Sequence, residues 1–312
     1  MIPRFGGMDF DDSSIRQAIP AVFLDSPQFE DPLLSTALGV RVTLKVETLN
    51  PLRSFKGRGV SFALRDLTPG ETVVCASSGN FGQAVAYAAA ARGAAARVYA
   101  HTELNPVKRE RMAAFGATVI EVAEGFDAAR ERAAAEAEGD GVRLIVDGVD
   151  PAIAEGASTI AQELSAAAEF DTLVAPIGDG SLVTGLALGL RAYAPNVRIV
   201  GVNPAAAPTM RESWRAGQPV AVRPTSALAE GITIPRPHPE ALARVTDAVD
   251  DIVLVNDDEL RAGMALIERH LALRAEPAGA AGIAAIAAGR TGGERIATII
   301  TGANRNPAMG AV

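Results

Sequence analysis

Val73-Val74-Cys75-Ala76-Ser77-Ser78-Gly79-Asn80-Phe81-Gly82-Gln83-Ala84-Val85-Ala86-Tyr87-Ala88-Ala89 runs from a β-branched stretch, through a small polar turn, into an alanine-rich stretch. The valines read as a buried strand and the alanines as a helix, with Ser-Ser-Gly-Asn as the turn between them. The same alternation continues along the chain. Strands are expected at 73–77, 97–101, 118–123, 143–147, 172–177, 198–203, 252–255 and 296–301. Helices are expected between them at 81–92, 106–115, 126–138, 152–164, 181–193, 257–271 and 278–288. Strand-helix-strand repetition with nearly continuous apolar strands predicts parallel sheets covered by helices on both faces. Two sheets flanking a cleft suit this pattern better than one very wide sheet. The expected class is α/β, with two three-layer α/β/α units and mostly parallel sheets.

Composition narrows the function. The 312 residues are 48% hydrophobic, enough for a sizeable core, and the net charge of -8 offers no basic face to nucleic acid. A single cysteine, Cys75, cannot form an internal disulfide, so a reducing cytoplasm is the expected compartment. The N-terminal stretch MIPRFGGMDF lacks the apolar core of a secretory signal. The apolar run 278–288 is too short to cross a bilayer and reads as a buried helix. His101, His238 and His270 are far apart in sequence, so nothing suggests a zinc site.

In open α/β sheets, ligands gather where strand ends feed helix N-termini. Four segments are candidates on that ground. In Asn50-Pro51-Leu52-Arg53-Ser54-Phe55-Lys56-Gly57-Arg58-Gly59, a partly desolvated Lys56 beside Phe55 would be a nucleophilic amine; a basic surface loop explains the segment as well. Around Ser77, Ser78, Gly79 and Asn80, amides at a helix start suit a small carboxylate, or merely cap the helix. Gly178-Asp179-Gly180-Ser181-Leu182 is a turn able to wrap a phosphate with main-chain amides, although glycine also serves simple tight turning. The strand end Thr301-Gly302-Ala303-Asn304 carries a hydroxyl, and on its own could be only a turn.

Taken in order, SFKGRG, SSGNFGQAVAYAA, PIGDGSLVTG and TGAN resemble the motif series of the fold-type II pyridoxal-phosphate enzymes, the tryptophan synthase β superfamily. GVNP (201–204), AEG (229–231) and EPAGA (276–280) extend the likeness, which spans roughly 41–304. It is greatest to the threonine/serine dehydratase and serine racemase branch. NPLRSFKGRG is also similar to the NPTGSFKDRG segment of threonine synthases.

The resemblance implies pyridoxal 5'-phosphate in the cleft, joined to Lys56 as a Schiff base, with Lys56 later acting on the Cα proton. It implies Phe55 beside the cofactor ring, Asn80 on its phenolic oxygen, and the main chain of Gly178, Asp179, Gly180, Ser181 and Leu182 around the phosphate. Thr301 would face the pyridine nitrogen; a neutral hydroxyl there makes a milder electron sink, suited to β-elimination. Ser77, Gly79 and Asn80 would receive the substrate carboxylate, with Ser78 beside them. The smaller domain would be 72–147, and the larger 1–71 with 148–312. The expected reaction is elimination of water from a small β-hydroxy amino acid such as threonine or serine, giving a 2-oxo acid and ammonia. A racemase using Lys56 and Ser78, a β-replacement or threonine-synthase-like enzyme, and a silent cofactor-binding homologue are the alternatives. A homodimer is expected by the same likeness. The chain ends soon after TGAN, so no regulatory C-terminal domain is expected.

Four departures matter. Ser78 stands where dehydratases commonly have alanine and serine racemase has serine; its hydroxyl, opposite Lys56, would suit two-base racemisation. Asp179 replaces a glycine, and is expected to turn away from the phosphate and leave only its N–H there. Asn203 replaces the glutamate of GVEP, so the family's cation site is not carried over and no metal is expected. Gly148 and Val149 replace a larger substrate-side residue, which implies a roomier pocket. Glu276 before Pro277 suits a helix start, with a role near the cofactor secondary.

Overall fold

A computed structural model describes residues 12–306; the N-terminal stretch read above for a signal lies outside the described residues. The described chain opens with α1 (Asp12–Ala18), β1 (Gln28–Glu30), α2 (Pro32–Leu38) and β2 (Arg41–Val46). Then come α3 (Lys56–Ala63), β3 (Thr72–Ala76), α4 (Asn80–Ala90), β4 (Ala95–His101), α5 (Pro106–Ala114) and β5 (Thr118–Val122). Helix α6 (Phe126–Glu136), β6 (Val142–Leu144), α7 (Pro151–Ala167), β7 (Thr172–Pro176) and α8 (Ser181–Tyr193) follow. The last part holds β8 (Arg198–Pro204), α9 (Thr209–Ala216), α10 (Pro239–Ala248), β9 (Asp251–Val255), α11 (Asp257–Leu271), α12 (Pro277–Ala287) and β10 (Arg295–Ile300).

These strands form two sheets, as the alternation of apolar runs and helices predicts. One has six strands in the order β1-β2-β10-β7-β8-β9, the other four in the order β5-β4-β3-β6. Every pairing is parallel except β1 with β2. Helix α12 is buried from Pro277 to Ile286, as a helix of alanine, glycine and isoleucine must be when it is sandwiched against a sheet. Among the described residues no helix is long and apolar enough to cross a membrane.

Strands β1 and β2 escaped the sequence reading because Arg41, Thr43 and Lys45 break the apolar run. Lys45 is nonetheless fully buried. Its Nζ donates to the Ser26 carbonyl at 2.8 Å and Gln28 Oε1 at 2.9 Å and pairs with Glu163 at 2.6 Å. The apolar cluster beneath the four-stranded sheet includes Phe23, Leu52, Val60 and Ile153 along with Val73, Cys75 and Val98. Segments outside 72–147 therefore share that core.

Strand order positions the site. In the large sheet β2, β10 and β7 are neighbours, so the segment before Lys56, Thr301 and the Gly178 turn emerge side by side. In the small sheet β4, β3 and β6 are neighbours, which aligns His101, the Ser77 loop and Asp147. In the large sheet the chain runs outward from β7 through β8 to β9 and returns with β10 on the other side of β7, so a crevice opens at the carboxyl ends of β7 and β10.

Candidate active site

Lys56 is held by a stitched loop and a buried charge network. Asn50 Oδ1 accepts from Leu52 N at 3.0 Å, while Asn50 Nδ2 donates to the carbonyls of Glu47 (2.9 Å) and Ser54 (3.1 Å). Phe55 N donates to the Thr301 carbonyl at 3.1 Å, and Ala303 N to the Arg53 carbonyl at 3.0 Å. The segment is thus fastened to the end of β10, and Lys56 is the first residue of α3 rather than part of a surface loop. A Cβ on Gly59 would lie 2.4 Å from the Ile153 carbonyl, so glycine here lets α3 press onto α7. Arg58 is fully buried, donating to Glu47 at 2.8 and 3.0 Å and to Glu163 at 2.6 and 2.8 Å.

The Lys56 side chain is only 14% exposed. It pairs with Asp147, donates to Ser181 Oγ at 3.1 Å and lies 4.7 Å from the Phe55 ring centroid. Burial between an aromatic ring and a carboxylate distinguishes it from an ordinary solvated lysine.

The turn after β7 can hold an anion. Gly180, the residue capping α8, has φ +97 and makes no side-chain cap bond. The first amides of this 13-residue helix therefore point from the turn without intrahelical acceptors. Asp179 lies in the same turn, and its Oδ1 accepts from Arg130 Nη2 at 3.3 Å. Burial, and then the nearby Asp147 charge, push its carboxyl up to about 6 against the opposing pull of Arg130 and Lys56.

At the end of β3, Ser77 Oγ accepts from the amides of Gly79 (3.2 Å) and Gly82 (3.0 Å). Its hydroxyl thus closes the turn into α4, whose N-cap is Gly79 and whose first residue is Asn80. Ser78 Oγ is buried and makes no hydrogen bond. Asn80 Nδ2 donates to Glu276 Oε1 at 2.6 Å, and its Oδ1 accepts from Asn304 at 2.9 Å and Gln83 at 3.2 Å. Glu276 does stand at the start of α12, yet its side chain makes no cap bond and is turned to Asn80 instead. Glu276 also faces Lys108 Nζ at 3.4 Å, and Lys108 pairs with Glu230 at 2.8 Å. The two carboxylates outweigh burial and raise the Lys108 pKa. Asn203 Nδ2 donates to the Ile177 carbonyl at 2.7 Å and its Oδ1 accepts from Arg211 N at 2.8 Å, a purely structural arrangement.

Phe55, Lys56, Ser77, Ser78, Gly79, Asn80, Gly178, Asp179, Gly180, Ser181, Leu182 and Thr301 all line one cavity of about 220 Å³. Asp147, Lys108, Glu230 and Glu276 line it as well. Asp147 and Lys108 were not singled out from the sequence. Asp147 had a usable signal, an acidic residue closing an expected strand in an α/β sheet.

An amine, an amide-lined anion turn, a strand-end hydroxyl and an asparagine facing one cavity fit pyridoxal phosphate. The family model described as "Pyridoxal-phosphate dependent enzyme" matches residues 23–302. The chain belongs to this family. This pyridoxal-phosphate-dependent enzyme is 33% identical to an L-threonine ammonia-lyase of Geobacter sulfurreducens over 81% of its own chain and 64% of the relative. It spans about half to two thirds of the length of the first such relatives, 48% of a Solanum lycopersicum threonine dehydratase among them. Among solved structures it is similar to the processed form of threonine deaminase isoform 2 from Solanum lycopersicum (TM-score 0.83, 28% identity, covering 94% of this chain and 90% of that one). It is also similar to maize serine racemase (TM-score 0.83, 27% identity, covering 94% and 93%). The fold class expected from the sequence, two mostly parallel α/β sheets of the fold-type II kind, is the one observed.

Proposed function

We propose that this enzyme is an ammonia-lyase that eliminates the β-substituent of a small amino acid, threonine or serine among them, releasing a 2-oxo acid and ammonia. The observation that carries the reading is the buried Lys56 amine sharing a cavity with the Gly178–Leu182 turn, Thr301 and Asn80. The proposal divides the chain into a small domain at 72–147 and a large one at 1–71 and 148–312, and includes a cytoplasmic homodimer.

Pyridoxal phosphate, when bound, supplies the electron sink for charge developing at the substrate Cα. Lys56 would hold it and would take the proton at the substrate Cα. The amides of Gly178 through Leu182 would hold its phosphate, with the dipole of α8 behind them. Asn80 would face its phenolic oxygen, and Phe55 would lie against the ring. Thr301 would offer the pyridine nitrogen a neutral hydroxyl, which suits elimination. The substrate carboxylate would go to the amide of Asn80 at the start of α4, while Ser77 Oγ takes the amides of Gly79 and Gly82 and shapes that turn. Racemisation is the second reading, favoured by one observation: Ser78 lines the cavity and its buried hydroxyl has no hydrogen-bond partner. It is placed to carry a proton.

The test is a substrate panel on purified holoenzyme. L-Serine, L-threonine and 3-hydroxyaspartate are each incubated, and both 2-oxo acid and D-enantiomer are scored. Elimination gives 2-oxo acid without accumulation of D-amino acid, and racemisation the reverse. A visible absorbance band abolished by borohydride reports the lysine linkage. Lys56→Ala is expected to lose that linkage and on the order of 10³-fold or more of kcat. An enzyme with no such band and no product from any of the three would overturn the reading.

A further inference from the structure

We propose that Asp147 makes this cavity selective for an amino acid carrying a second ammonium group on its β-carbon. The proposal rests on the elimination reading and deepens it by naming the substrate class.

The first ground is position. Asp147 follows β6, which pairs in parallel with β3. The loop holding Asp147 therefore emerges beside the Ser77–Asn80 turn, where the substrate carboxylate is placed. On its other side Asp147 pairs with Lys56, and the next residue, Gly148, approaches the turn so closely that a Cβ there would lie 2.3 Å from the Asp179 carbonyl oxygen. It thus flanks the space between carboxylate site and phosphate site, where a substrate side chain must go.

The second ground is charge. The Asp147 side chain is 13% exposed; one oxygen pairs with Lys56, and the other is buried with no hydrogen-bond partner. Lys56 must be an uncharged amine to take the Cα proton, so it cannot also be a permanent counter-ion for Asp147. Arg130 is engaged by Asp179, and Lys108 by Glu230 and Glu276. A buried carboxylate left without a cation is strongly unfavourable, and a phosphate in the neighbouring turn makes it more so. A β-ammonium on the substrate would replace the lost partner. A hydroxyl brings no charge, and a side-chain carboxylate is repelled.

The third ground is the leaving group. A hydroxyl departs only with help from an acid, whereas an ammonium already carries the proton it leaves with. Base removes the Cα proton, the Cα–H electron pair becomes the Cα=Cβ bond, and the Cβ–N pair departs with ammonia. Hydrolysis of the resulting enamine gives the 2-oxo acid and a second ammonia, with no oxidant or reductant required. A carboxylate beside that nitrogen keeps it protonated until the bond breaks.

The experiment compares kcat/KM of the holoenzyme for L-2,3-diaminopropionate, L-serine and L-threonine, scored as 2-oxo acid. In parallel, the absorbance of the bound cofactor is titrated with L-2,4-diaminobutyrate and L-2-aminobutyrate, neither of which carries a β-leaving group. The diamino substrate should exceed serine at least tenfold in kcat/KM, and the diamino ligand should bind at least tenfold more tightly than its uncharged partner. Asp147→Asn should reduce both ratios at least tenfold, and Asp147→Glu should retain part of each. Cofactor absorbance and cooperative unfolding show that the variants are folded. Serine or threonine turned over with no charge preference, or ratios unmoved by Asp147→Asn, would overturn the proposal and leave the elimination reading intact. Charge-selective binding without any 2-oxo acid would sustain the role of Asp147 and overturn elimination.

Discussion

At the residue scale, Asp179 poses the sharpest electrostatic problem in the site. It occupies a turn whose amides are arranged for an anion, yet it carries a carboxyl of its own. Arg130 takes one of its oxygens, and burial together with Asp147 holds its pKa at about 6. Above that pH the group is ionised and opposes a bound phosphate; below it the group is neutral and does not. Asp179→Asn should therefore tighten cofactor binding at pH 8 by on the order of tenfold, ~1.4 kcal/mol. The gap between variant and parent should close as pH falls below about 6. Equilibrium dialysis of cofactor against apoenzyme across that range measures both. Individual residues were unevenly legible. Lys56, Asn80 and Thr301 sit in motifs whose order marks them, whereas Asp147 meets Lys56 across 91 residues of chain. No local pattern encodes such a pair.

Elements behave differently, because turn chemistry is local. The Gly178–Ser181 stretch reads as a strand-to-helix turn from sequence, and the structure shows why glycine is needed at its second glycine. Gly180 has φ +97, and a Cβ there would lie 2.4 Å from Val245 Cγ2. Gly180→Ala should cost about 1–3 kcal/mol in denaturant unfolding. It should also weaken cofactor binding, since straightening the turn swings the first amides of α8 away from a common centre. Retention of both stability and affinity would show that the turn does not depend on the left-handed residue. Buried alanine-rich helices such as α12 were equally plain in the sequence. Strands β1 and β2 were not, because alternation analysis assumes that lysine faces water and Lys45 does not.

For the whole molecule, the decisive structure is the charge network under α3. Arg58, Glu47, Glu163 and Lys45 join α3, α7 and β2 behind Lys56. Burial pushes the Glu163 carboxyl upward, but Arg58 and Lys45 outweigh it and hold it at about 2, against an ordinary 4.5. A depressed carboxylate contributes stability that is full above about 4.5 and lost as pH falls toward about 2. Glu163→Gln should therefore cost about 3 kcal/mol at pH 7, with the difference from the parent fading between those two pH values. Urea unfolding at a series of pH values tests this, and a pH-independent difference would refute the assignment to charge.

The sequence by itself determined the alternation of strands and helices and the strand-to-helix turns between them, which follow from side-chain periodicity and backbone preference over a few residues. The cofactor family was legible in a different way, through the resemblance of several ordered motifs to the fold-type II enzymes. Only the tertiary structure decided that Asp147 faces Lys56, that Glu276 turns to Asn80 rather than capping its own helix, and that the Ser77 hydroxyl is occupied within its own turn. The first two partnerships depend on strand order and on how two sheets meet, and the third on which nearby amides the backbone aims at one oxygen. Distances through space of that kind are set by packing, and spacing along the chain does not contain them.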